Sequence, residues 1–220
     1  MAERDYQLTV QKKAIRRIHI YVYPSQNCVR VTAPKDISDA KIAEFLREKE
    51  AWIQKHLRSA AQKEAGVTDT TVLLFGKRYP LAIRHAPGRA KVVRDSERVV
   101  VHCPQGTSPE KIRQLIKNWL KTCLEEKIRS LAPDCERRTG LHAKEWRVRD
   151  MHTRWGSCSI QQRRIRIALM LVHKREALIE YVMVHELIHL KEAGHNAAFY
   201  DYFQKVMPDF QKRRAELNGR

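Results

Sequence analysis

Two histidines and a glutamate lie inside an apolar run, VMVHELIHLKEAGH (residues 182–195), and their types and spacing are those of a metal site. Burying an imidazole or a carboxylate without a partner costs free energy. We therefore expect these side chains to have a partner or a function. On a helix, His185 and His189 project from one side and can both reach one tetrahedral Zn²⁺. Glu186 then lies beside the position where a water would bind. The H-E-x-x-H pattern therefore predicts a zinc-dependent hydrolase with Glu186 as general base.

A third protein ligand is expected, because a catalytic zinc usually has three protein ligands and one exchangeable water. His195 follows His189 by six residues, and Gly194 before it suits a left-handed turn that ends the helix and returns the chain to the metal. Competing carboxylates are Glu192, Asp201 and Asp209. Glu192 points to another side of a continued helix, and the two aspartates require a longer return of the chain. The spacing favours His195 and leaves the carboxylates as alternatives.

The segments around these residues predict how they are positioned. Residues 176–191 carry apolar side chains around nearly the whole circumference of a helix, which indicates a buried helix. Before it, RWGSCS (154–159) predicts a turn at Gly156 and Ser157. The segment RRIRIALML (163–171) alternates apolar and polar residues, which is typical of a strand leading toward the metal helix.

The first 130 residues look like one unit written twice. Residues 29–46 and 99–116 align at an offset of 70, and each predicts a strand, a proline-marked loop and a helix that begins at a serine N-cap. We expect strand-helix units at 1–65 and 66–130, a loop around 131–140, and a zinc-binding region at 131–220. The predicted fold class is α+β, with the H-E-x-x-H helix beside a mixed or antiparallel sheet and a duplicated strand-loop-helix scaffold before it.

The composition limits the cellular compartment and the binding partners that we expect for this protein. The 220 residues include 43 Lys and Arg and 25 Asp and Glu, which gives a net charge of +18. This charge favours either non-specific association with nucleic acid or a solvated basic surface. No apolar run is long enough for a membrane helix or a secretion signal, so we expect a cytoplasmic protein without a membrane partner. Five scattered cysteines without C-x-x-C spacing argue against a disulfide framework or a cysteine zinc ribbon.

Over residues 11 to 218 the sequence resembles the YgjP-like metallopeptidases, distant relatives of the SprT-like and WLM zinc proteases. The likeness is carried by FGKRYPL, RWGSCS at 154–159, YVMVHELIHL at 181–190 and the H-x-x-x-F motif at His195–Phe199. It implies a zincin fold in which one zinc ion is held by His185, His189 and His195, with Glu186 as catalytic base. It also implies that the strand within 163–171 borders the cleft and pairs with an extended peptide.

Three functions remain open at this point. The resemblance favours a peptidase that cleaves peptides or unfolded protein, with Arg154, Trp155 and Arg166 as candidate substrate-binding residues. A zinc-dependent hydrolase of nucleotides or other phosphoanhydrides is the alternative, because the chain is basic. That reaction needs several cations converging on the zinc, and the nearest candidates are Arg154, Arg163, Arg164 and Arg166. A nucleic-acid-associated module with structural zinc is the third reading, but it would not require Glu186.

Overall fold

The computed structural model describes residues 5–23, 28–64, 66–151 and 153–218. Within these ranges the chain forms ten strands and five α-helices, which divide between two units, Met1–Ala65 and Gly66–Arg220. No helix among the described residues combines the length and the apolarity needed to cross a membrane.

The first unit is a three-stranded sheet followed by one long helix. Its elements are β1 (Gln7–Lys13), β2 (His19–Tyr23), β3 (Cys28–Pro34) and α1 (Asp39–Glu64). Strand β3 is central, parallel to β1 and antiparallel to β2. Val29 and Val31 of β3 are fully buried together with Ile42, Leu46 and Ile53, the apolar stripe of α1. The alternation in the strand and the helical spacing of the stripe thus supply the two faces of one small core.

The second unit begins by repeating this topology. After β4 (Thr71–Leu74) come β5 (Lys77–His85), β6 (Lys91–Arg94), β7 (Val99–Cys103) and α2 (Pro109–Thr139). Strand β7 is parallel to β5 and antiparallel to β6, just as β3 is parallel to β1 and antiparallel to β2. The sheet has the order β4-β5-β7-β6. The duplication predicted from the sequence is therefore present in strand order, strand direction and the helix that follows.

The same local signal starts both helices. The Ser108 hydroxyl accepts a hydrogen bond from the Lys111 backbone N–H at 3.3 Å, and Ser38 caps α1 in the same way.

The predicted loop around 131–140 was wrong, because α2 continues through that segment to Thr139. Pro133 lies inside the helix, and Gly140 ends it in a left-handed conformation with φ 60°. Buried side chains, including Ile128 before the proline and Cys135 after it, keep one face of α2 in the core. Packing of this face outweighs the cost of an internal proline, which the local sequence alone could not show.

The last part of the second unit contains the H-E-x-x-H helix and a mixed sheet. Its elements are β8 (Glu145–Arg149), β9 (Gly156–Ser159), β10 (Arg164–Ala168), a 3₁₀ helix (Leu169–His173), α3 (Glu176–Ile188), α4 (Ala197–Val206) and α5 (Phe210–Leu217). Helix α3 packs against β9, β10 and the other helices of this unit. The predicted α+β class, with the metal helix beside a mixed sheet, is confirmed.

Two details of this sheet differ from the sequence prediction. Gly156 and Ser157 are not a turn but the first residues of β9, where they pair with Ile167 and Arg166. Strand β10 ends at Ala168 and lies at the centre of the order β8-β10-β9, so it is not an edge strand. The alternation within 163–171 identified a strand correctly, but strand order depends on long-range pairing that alternation does not encode.

A charged cluster ties three helices of the second unit together. Glu180 of α3 accepts hydrogen bonds from Arg138 of α2 and from Arg213 of α5, and Arg213 also donates to the Ala177 carbonyl at 3.0 Å. The Glu180 side chain is only 20% exposed. Removing one member of a largely buried ion cluster leaves the remaining charges poorly solvated.

We therefore expect Glu180→Gln to lower the free energy of unfolding by about 1–3 kcal/mol. Urea denaturation followed by circular dichroism measures this change. Glu97→Gln is the matched control, because the Glu97 side chain is 77% exposed and forms an ion pair of 3.5 Å with Arg98. The control should change stability by less than about 0.5 kcal/mol. Equal effects of the two substitutions would contradict the role given to the cluster.

Candidate metal centre

Three histidines converge where α3 ends. His185 lies in the last turn of α3, His189 is its C-cap, and His195 lies in the connection to α4. The Nε2 atom of His185 is 3.2 Å from Nε2 of His189 and 3.0 Å from Nε2 of His195. One ring nitrogen from each residue lies within 4.8 Å of the others, so the three side chains can hold one metal ion. Nitrogen atoms gathered this closely are better satisfied by a shared cation than by one another.

The protonation of His189 can be read from its hydrogen bond. Nδ1 of His189 lies 2.9 Å from the backbone carbonyl oxygen of Glu192. Because a carbonyl oxygen only accepts, Nδ1 must carry the hydrogen, and Nε2 then presents its lone pair to the cluster in the neutral ring. Glu192, a competing ligand in the sequence analysis, thus contributes its main chain as support for a histidine.

Burial also keeps the ring of His185 neutral. Burial, together with the nearby His189 and His195, lowers the pKa of His185 to about 3. The pKa of His195 is lowered as well, first by partial burial and then by His189. Neutral imidazole is the form that binds a metal, so His185 and His195 can bind a cation at neutral pH without first losing protons.

The chain reaches His195 by a route that differs from the predicted one. Helix α3 ends at Ile188, and Gly194 is not in the left-handed region, so the expected glycine turn was wrong. The return is instead anchored by α4, whose N-cap Asn196 accepts a hydrogen bond from the Phe199 N–H at 2.9 Å. The fully buried ring of Phe199 packs 4.8 to 5.1 Å from the centres of all three imidazole rings. Phe199 therefore fixes the distance between α4 and the histidine cluster.

Asp201 and Asp209, the other competing carboxylates, are not part of the cluster. Asp201 is exposed on α4, and Asp209 binds Arg213 at 2.8 Å. Of the four candidates for a third metal-binding side chain, the structure brings only His195 to the other two histidines.

Glu186 is buried beside the histidines and against strand β9. Glu186 is only 5% exposed. This burial raises the pKa of Glu186 to about 8, although the positive charge of Arg154 acts in the opposite direction. A Cβ atom added at Gly156 would lie 2.6 Å from Oε1 and 2.7 Å from Cγ of Glu186. Only glycine leaves room for the carboxylate at this point of the strand. Sequence reasoning missed this role because Gly156 was interpreted as a turn residue.

These residues line an open cavity of about 500 Å³. Its walls include the three histidines, Gly156 to Cys158 of β9, Tyr181 of α3 and Arg214 of α5, and Glu186 is the one acidic residue among the described lining residues. Burial, reinforced by the charge of Glu186, raises the pKa of Cys158 to about 11, so its thiol stays protonated near neutral pH. Cys158 is therefore a poor nucleophile in this cavity.

The candidate substrate-binding residues separate into two groups. Arg154 and Trp155 line the cavity, whereas Arg166 lies on the central strand β10 and is not among the lining residues. Arg163 donates to the His142 carbonyl at 2.7 Å, and Arg164 binds Glu145. The arginines named for a phosphate site therefore do not converge on the histidines, apart from Arg154.

Arg214 reaches the cavity from α5 and was missed by the sequence analysis. It follows His195 by 19 positions and belongs to no motif there. Only the packing of α5 beside α3 brings it to the metal centre.

Most of the chain matches a known protein family. Residues 16–220 match the family described as YgjP-like, metallopeptidase domain. No curated protein matches. Among solved structures, the metallopeptidase zymogen of Pyrococcus abyssi abylysin is similar at a TM-score of 0.37 and 21% identity, over 42% of this chain and 96% of that chain. This level of structural similarity is too low to support an argument about the fold.

The geometry predicts which side chains control metal content. His185→Ala, His189→Ala and His195→Ala should each remove most of the bound metal, because each deletes one of three nitrogen donors. Elemental analysis of the purified proteins measures the metal per chain. Glu192→Ala is the control and should keep its metal, since only the Glu192 main chain supports the cluster. If Glu192→Ala lost its metal while His195→Ala retained it, Glu192 rather than His195 would be the third metal ligand.

Proposed function

Since the chain belongs to the YgjP-like metallopeptidase family, we propose that it is a peptidase that binds one zinc ion through His185, His189 and His195. The observation that carries this proposal is the convergence of three imidazole nitrogens in an open cavity beside a buried carboxylate. Three neutral nitrogen donors are the ligand set of many catalytic zinc sites, which keep one position for water or substrate. When bound, zinc supplies Lewis acidity and lowers the pKa of water at that open position.

Glu186 is the general base in this proposal. Burial raises the pKa of Glu186 to about 8, and the positive charge of a bound zinc ion would favour the carboxylate form. That carboxylate accepts a proton from the attacking water and later passes it to the nitrogen of the leaving amine. The position of Glu186 supports this role, because it lies next to His185 on α3 and faces the cavity from the side of β9. A site that used zinc only for folding would have no need to bury a carboxylate there.

Strand β9 is the substrate-binding edge in this proposal. Gly156 to Ser159 pair with β10, no second strand pairs with them among the described residues, and Gly156, Ser157 and Cys158 line the cavity. An extended peptide can add to such an edge through main-chain hydrogen bonds, which bind many sequences without reading their side chains. The strand within 163–171, which the sequence predicted for this role, cannot accept a peptide, because β10 already pairs with β8 on one side and β9 on the other.

The positions of the arginines favour a peptide over a phosphoanhydride. A phosphoryl site concentrates cations around the metal. Of the four arginines named for that reaction, only Arg154 lines the cavity, while Arg163 and Arg164 bind other parts of the protein. Arg214 is the one further arginine among the described lining residues, so the cavity has two arginines rather than a cluster around the histidines.

The proposal predicts that Glu186→Gln keeps its zinc but loses activity by about 10²–10⁴-fold, because glutamine cannot accept the proton. Mass spectrometry of products from an unfolded protein and a peptide library measures the rate, and elemental analysis measures the zinc. Glu192→Gln is the matched control and should remain active.

Two results would contradict the assignment. A fully active Glu186→Gln protein with normal zinc would remove Glu186 from the chemistry. Glu186-dependent release of phosphate or pyrophosphate from nucleoside triphosphates, without any peptide cleavage, would replace the peptidase by a phosphoanhydride hydrolase.

A second prediction concerns the contact between β9 and the proposed base. Gly156→Ala should lower activity by about 10-fold or more with zinc retained, because the new methyl group must displace the Glu186 side chain. Gly194→Ala is the matched control: a Cβ there meets no atom within 4 Å, and its backbone is not left-handed. Equal activity of the two alanine variants would show that the position of Glu186 tolerates displacement.

A further inference from the structure

Two arginines face the cavity, and neither forms an ion pair with a carboxylate among the described residues. Arg154 precedes β9 and Arg214 lies on α5, and both line the cavity and are exposed. The neighbouring acids of α3 and α5 are already engaged, since Glu180 binds Arg213 and Glu216 binds Arg175. The two guanidinium groups are therefore available to a ligand.

The two arginines approach the metal centre from different sides. Arg154 lies two residues before Gly156 of β9, where an added Cβ would meet Glu186, whereas Arg214 lies over the ring of Tyr200, whose centre is 6.4 Å from that of the His195 ring. Arg154 is thus near β9 and the proposed base. Arg214 lies on the side of His195, where its guanidinium carbon is 6.0 Å from the centre of the Tyr200 ring.

The element that carries Arg214 is held firmly. The adjacent Arg213 binds Glu180 and the Ala177 carbonyl of α3, and Leu217 of α5 is buried. The position of Arg214 is therefore set by packing between α5 and the metal helix rather than by a loop. A cation on a rigid element loses little order on binding an anion, which favours selectivity.

The charge of the cavity wall is unbalanced toward an anionic ligand. Glu186 is its one acidic residue within the described part of the chain, against two arginines. A guanidinium group presents a planar fork of N–H donors that matches a carboxylate with two hydrogen bonds. Peptides offer this group at their C-terminus and on the side chains of Asp and Glu.

We infer that Arg214 and Arg154 select peptides that carry a carboxylate close to the cleaved bond. The inference rests on the proposed peptidase function and adds a substrate class to it. The carboxylate belongs either to the C-terminus, which would make the enzyme trim chain ends, or to an acidic side chain. The C-terminus and an acidic side chain offer the same carboxylate group, and the choice of peptides in the test distinguishes them.

The test uses matched peptides and matched arginine variants of the whole zinc-loaded protein. One pair of peptides differs only in a C-terminal acid or amide, and a second pair differs only in Glu or Gln next to the cleaved bond. Each pair is assayed with the wild type, Arg154→Gln, Arg214→Gln, the double variant and Arg89→Gln. Arg89 is exposed in the connection between β5 and β6 and controls for the loss of one positive charge.

The wild type should prefer the acidic member of at least one pair by about 10-fold in kcat/KM, the gain expected from a hydrogen bond to a charged group. The ratio should fall toward one in the double variant and stay unchanged in Arg89→Gln. The pair that shows the effect identifies the source of the carboxylate. No preference in the wild type, an unchanged ratio in the double variant, or an equal loss in Arg89→Gln would each overturn the inference.

A binding assay separates failure of this inference from failure of the peptidase proposal. Fluorescence anisotropy measures the affinity of the same labelled peptides for zinc-loaded Glu186→Gln, with and without the two arginine substitutions. An arginine-dependent preference of about 10-fold for the acid, without cleavage by the wild type, would sustain the carboxylate site and reject the peptidase. Cleavage by the wild type together with equal affinities for acid and amide would support the peptidase and reject the carboxylate site.

Discussion

The burial of α3 is the constraint on which the site depends. Nine of its thirteen residues are buried, so the helix has little freedom to rotate about its axis. His185 and Glu186 are therefore directed to fixed places, one toward the cluster of imidazoles and the other toward Gly156. The remaining parts of the site are brought to these two residues: α4 delivers His195, β9 supplies the wall beside the carboxylate, and α5 adds Arg214.

The residues on α3 were predictable because their pattern is local. A spacing of four residues places two imidazoles on one side of a helix whatever the rest of the fold does. The serine N-caps and the apolar stripes of α1 and α2 are local in the same sense, and the duplication of strand, loop and helix follows from them. The α+β class and the metal helix beside a sheet could thus be inferred before any tertiary contact was known.

The rest of the site depends on contacts between distant residues. Whether β9 or β10 lies at the sheet edge is decided by which strands pair, and the alternation in β10 is compatible with either order. Gly156 is required because Glu186, 30 residues later, occupies the space of a side chain. Arg214 enters the cavity because Glu180 and Arg213 join α3 to α5. None of these contacts has a short sequence signature.

Zinc bound by three imidazoles, with one position left open, is the central claim, and X-ray absorption at the zinc edge of the loaded protein tests it most directly. We expect three imidazole ligands at about 2.0–2.1 Å and one further oxygen at a similar distance. A sulfur atom at about 2.3 Å, which would implicate Cys158, or a shell with only two imidazoles would contradict it.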